Sequence, residues 1–139
     1  MKSTLSFEVK LDQPYDKAIE TVTAALKTEG FGILTQIDIK ATLKEKIGED
    51  FRPYMILGAC NPHLAHRALS SHAEVGVMLP CNVTVEATSE GGSIIRIVNP
   101  DEMMSVGGMG DDPVMREVAG EAGERLRHVV TALQDLNAG

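Results

Sequence analysis

Residues 81–98 read CNVTVEATSEGGSIIRIV, and this stretch decides the fold class. Cys81, Val83, Val85 and Ala87 alternate with Asn82, Thr84, Glu86 and Thr88, the period of a half-buried strand. Ser89 to Gly92 supplies turn residues, and Ile94 to Val98 forms the returning strand. A turn this tight joins only antiparallel neighbours, because a parallel pair needs a crossover of a dozen residues or more. The sheet is therefore expected to be largely antiparallel.

Working outward from the hairpin, the chain alternates strands with helices. Leu5, Phe7, Val9 and Leu11 share one side of a first strand. Asp12 as cap and Pro14 in the first turn open a helix whose stripe is Ala18, Ile19, Val22, Ala25 and Leu26, closed by Gly30. Phe31, Ile33, Ile37 and Ile39 predict a second strand. Leu43 and Ile47 predict a short helix ended by Gly48. Tyr54 to Cys60 is apolar on both sides, the pattern of a strand covered on both faces. Asn61-Pro62 begins a helix with Leu64, Ala65, Ala68 and Leu69 inward. Asn99 to Asp112 reads as a Gly- and Met-rich loop with one helical turn. Asp112 then caps a last helix running from Pro113 through Leu133. The order is β-α-β-(short α)-β-α-β-β-α, a single α+β domain over residues 1–139 with helices packed on the sheet.

Composition narrows the function classes. Twenty acidic against thirteen basic residues leave a net charge of −7, the wrong sign for phosphate backbones, so no nucleic-acid partner is expected. No run approaches the roughly 18 apolar residues of a membrane helix, and the N-terminal alternation lacks the apolar core of a signal peptide. Two cysteines do not make a disulfide framework, so a reducing cytoplasm is the expected location. Gly107-Gly108-Met109-Gly110 lacks the Lys and Ser/Thr of a phosphate loop. The sequence names no cofactor and no reaction.

The candidate site is where turn residues and thiols coincide. Cys60 ends a strand directly before a helix N-terminus, where free N–H groups and the helix dipole stabilise a thiolate. Cys81 opens another strand after Leu79-Pro80. If those strands are neighbours, the two thiols meet at one sheet edge. Cys60, Asn61, Pro62, Cys81, Asn82, Met103 and Met104 are then the candidate ligand-binding residues, around a small apolar guest or a protein partner. One alternative is thiol redox or sulfur handling by Cys60 with Cys81 as resolving partner. Another is a zinc or copper site in which His63 and His66 join Cys60 and Cys81, the loop methionines favouring copper(I). Helical spacing turns both imidazoles away from Leu64 and Ala68, toward solvent. Free cysteines are also common as small core residues.

Gly-Ala-Cys-Asn-Pro at 58–62, Leu64-Ala65, Leu79-Pro80-Cys81-Asn82-Val83, Asn99-Pro100 and Met103-Met104 together resemble the family called domain of unknown function 302. The resemblance spans nearly the whole chain and rests chiefly on the two cysteine motifs. It implies a fold like that of the TATA-binding protein, a curved antiparallel sheet with helices on one face. It also implies a homodimer. It implies no activity. This chain carries Asn99 where the family often carries Asp before the last proline.

Overall fold

A computed structural model describes residues 4–138. Five strands form one antiparallel sheet in the order β1-β5-β4-β3-β2, and the hairpin supplies its centre. The strands are β1 (Ser6–Leu11), β2 (Gly32–Asp38), β3 (Tyr54–Cys60), β4 (Cys81–Ala87) and β5 (Ser93–Val98). The helices are α1 (Tyr15–Thr28), α2 (Ile39–Ile47), α3 (Pro62–Ser71), α4 (Pro100–Gly107) and α5 (Pro113–Ala138), with a 3-10 turn over Ala73–Met78. The α+β class and the helices on one side agree with the sequence reading.

Register explains why one face is the core. Val9 pairs with Ile95 and Ile95 with Val85, while Ile97 pairs with Val83 and Val83 with Leu57. Alternation sends this whole set to one side, where all are buried against Val22 and Leu26 of α1, Leu64 of α3 and Leu126 and Leu133 of α5. The opposite side carries Glu8, Arg96 and Glu86. Glu86 is covered by Arg96 and by Arg52, whose Nε lies 2.5 Å from its carboxylate. Burial pushes the Glu86 carboxyl up, but the hydrogen bonds from Arg96 and Arg52 outweigh this and hold it below the usual range.

Several expectations are corrected. Asp12 does not cap α1: Pro14 occupies the N-cap position, and the Asp12 N–H instead donates to Asn137 of α5 at 3.1 Å. Two residues separate Asp12 from the first helical turn, beyond the reach of a capping side chain. Gly30 closes α1 as expected. At φ +85° it lets the Phe31 N–H reach the Leu26 carbonyl at 3.0 Å. In β2 a bulge at Leu34 breaks the alternation, and Ile39 begins α2, capped by Asp38. Tyr54 and Ile56 of β3 are only half-buried, since helices cover one face of the sheet and not both. Leu69 is 43% exposed, off the inner face. The 99–112 loop contains the two-turn helix α4. His128 of α5 lies 3.3 Å from Glu29.

Candidate functional site

The site is assembled by one device used twice. β3 ends at Cys60, and the Asn61 side chain accepts from the Leu64 N–H at 3.2 Å to start α3, with Pro62 in the first turn. β5 ends at Val98, and Asn99 accepts from the Asp101 N–H at 3.1 Å to start α4 with Pro100. Asn and Asp are equally good caps, so Asn99 starts α4 as well as an aspartate would. α4 packs on α5. Asn99 also donates to the Thr4 carbonyl at 3.2 Å, and Arg127 of α5 reaches Asp101 at 3.5 Å while lying over the Phe7 ring.

Cys81 pairs with Ala59, the residue before Cys60, so both thiols stand at the same end of the β3–β4 pair. Between that end and α3, α4 and α5 lies an apolar hollow with a cavity volume of about 60 Å³. Since one water needs roughly 10–15 Å³ by this measure, the hollow has room for a few non-hydrogen atoms as it stands. Cys60, Asn61, Cys81, Met103 and Met104, all candidates from the sequence, line it. Pro62 and Asn82 do not. Pro62 is exposed on the outer surface of α3, and alternation turns Asn82, which pairs with Gly58, to the other face of the sheet. His63 and His66 are exposed and lie outside the hollow. Among the described residues no three His, Cys, Asp or Glu side chains form a metal-binding group. The structure thus does not bring the imidazoles to the thiols.

Alanines of two helices supply the space itself. Ala65 and Ala68 of α3 and Ala119 and Ala122 of α5 all line the hollow. Their helical spacing was readable; that alanines of two helices line one void was not. Phe31 and Val118 complete the wall.

The electrostatics are those of neutral sulfur. Burial pushes the Cys81 thiol up to about 11, with the neighbouring Cys60 adding to the effect. Burial also raises Cys60. Cys60 is thus shifted up and not down as expected at the α3 N-terminus, because burial disfavours the thiolate. Both groups are protonated at neutral pH, the reverse of what a nucleophilic or redox-active thiol needs. The polar atoms of Asn61 are engaged too: its amide nitrogen lies 3.5 Å from the Glu29 carbonyl, which also accepts from Arg125 at 3.2 Å. Outside the hollow, Asp112 joins the ends of two helices. It accepts from Ser71 at 2.9 Å, lies 2.5 Å from His72 and caps α5 through the Val114 N–H.

With the geometry in place, the chain can be set beside known proteins. No curated protein matches the sequence. A crystal structure of an uncharacterized conserved DUF302 protein from Bacillus stearothermophilus superposes with a TM-score of 0.82 at 30% identity, covering 94% of this chain and 99% of that one. The family model for domain of unknown function DUF302 matches residues 7–133, and the chain belongs to that family.

Proposed function

We propose that this protein is a non-enzymatic binding module that holds a small, uncharged apolar guest in the hollow beneath α4. One observation carries the reading: an apolar cavity of about 60 Å³, walled by alanines and by the methionines of α4, persists beside the only two thiols of the chain. Close packing would have filled such a space were it only core. No charged group lines the wall, and the thiols are neutral, so the guest carries no formal charge. Methionine side chains re-pack readily, which lets α4 adjust to guests of different shape.

Xenon tests this reading. With methyl-labelled methionine, the Met103 and Met104 signals are expected to shift saturably under xenon pressure, and Ala119→Leu, which fills the hollow, is expected to abolish the shift. Unsaturable or absent shifts at both methyls reject the proposal.

The module works as a homodimer. Its support is the β2 edge. Gly32 to Ile37 carries no charge and no proline, and Leu34 and Ile37 are 67% and 46% exposed. α2 beside it buries no residue, and its Ile47 is 65% exposed. The other edge, β1, is protected by Glu8, Lys10 and the packing of α5. Antiparallel pairing of β2 with its copy is self-complementary about a two-fold axis. Sedimentation at micromolar concentration is expected to give the dimer mass, and Leu34→Lys the monomer mass. A monomeric wild-type chain overturns it.

A further inference from the structure

The lining of the hollow is not uniformly buried. Phe31, Leu64, Ala68, Val118 and Ala119 are buried and form its floor, whereas Cys60, Ala65, Leu79 and the two methionines of α4 are partly exposed and form a rim. The hollow is reached from solvent across that rim. Its wall is apolar, and the one amide in it, Asn61, already accepts from the Leu64 N–H and donates toward the Glu29 carbonyl. Given a guest in this space, as proposed above, we infer that it is the end of an unbranched, uncharged alkyl chain, which enters methyl first over the rim while its polar head stays in water.

Size decides the shape of the guest. An apolar cavity that takes benzene measures about 150 Å³, and this one about 60 Å³. An alkyl chain is the narrowest apolar body available, and its end fits where a ring does not. The floor cannot widen, because alanine has no rotamer to change and Phe31 is closely packed. The flexible methionines belong to the rim, so their re-packing accommodates the chain where it leaves the hollow. Polarity decides the direction. A hydroxyl inside would give up its bonds to water and meet no free partner stronger than a thiol. Affinity decides the length. The few atoms that fit inside have little area to bury, and the binding available per atom has a ceiling, so firm retention needs carbons lying along the rim as well.

Titration of the full-length protein with straight-chain primary alcohols, followed at the Met103 and Met104 methyl signals, provides the test. From n-butanol to n-octanol the affinity is expected to rise about fourfold per methylene, the increment for burying one CH₂. n-Hexanol is expected to bind at least about tenfold tighter than cyclohexanol, which overfills the floor. Hexane-1,2-diol is expected to bind at least about tenfold tighter than its isomer hexane-1,6-diol, which has no methyl end to insert. Ala65→Phe, at the rim, is expected to weaken n-octanol binding at least about tenfold while saturable xenon shifts remain. The isomer comparisons use the unaltered chain, so they decide the matter even if Ala65→Phe fails to fold. Equal binding within either pair, affinity independent of chain length, or undiminished n-octanol binding by folded Ala65→Phe overturns the inference. Saturable xenon shifts together with any of these results reject the alkyl chain alone; absence of both xenon and alcohol shifts rejects the hollow as a guest site.

Discussion

Leu126→Ala is expected to lower the unfolding free energy by about 3 kcal/mol, within the range for large-to-small changes at buried leucines. Leu126 is fully buried at the middle of α5, the helix that packs on α1, α3, α4 and β1. Truncation removes its transfer free energy and leaves a void in the core. The surrounding elements are anchored to the sheet and cannot close on the gap. Urea unfolding followed by circular dichroism measures it: a lower midpoint with an unchanged slope is expected, together with a thermal midpoint about 10 °C lower. A loss below about 1 kcal/mol would mean that α5 relaxes into the gap.

Gly58→Ala is expected to cost about 2 kcal/mol, although it adds a single methyl. A Cβ at Gly58 would lie 2.2 Å from the Thr35 hydroxyl oxygen and 2.8 Å from the Pro80 ring. Thr35 is exposed and can rotate away; the proline ring cannot. Because Pro80 immediately precedes Cys81, the displacement passes directly to the thiol lining the hollow. Two measurements separate the effects. Adding Thr35→Ala to Gly58→Ala is expected to recover only a small part of the lost stability, and alkylation of Cys81 in the variant is expected to speed up as its wall moves. Full recovery in the double variant would place the whole clash on Thr35 and leave the hollow undisturbed.

Much of the fold was legible because it depends on local rules. The hairpin at 81–98, the Asn61-Pro62 start of α3, the Gly30 stop of α1 and the Asp112 cap of α5 each depend on a few adjacent residues and a fixed period. The same logic, applied to Asn99-Pro100, identifies α4. Its glycines and methionines mask the helix only when composition is weighed above the cap. The bulge at Leu34 was invisible, because an extra residue in an edge strand costs little and leaves no compositional mark.

The candidate site divides along the same line. That Cys60 and Cys81 sit at strand ends, and that His63 and His66 point outward, followed from periodicity within single elements. Which strands are neighbours, which helices frame their shared end, and whether their alanines leave space are relations among distant segments. They depend on the register of the whole sheet and the volumes of facing side chains. So does the desolvation that keeps both thiols protonated, since burial is a property of the assembled molecule. Sequence alone determined most of the elements and several of their ends; only the tertiary structure decided that Cys60, Cys81, Met103 and Met104 line one hollow, because proximity across twenty or more residues is set by packing and not by any local preference.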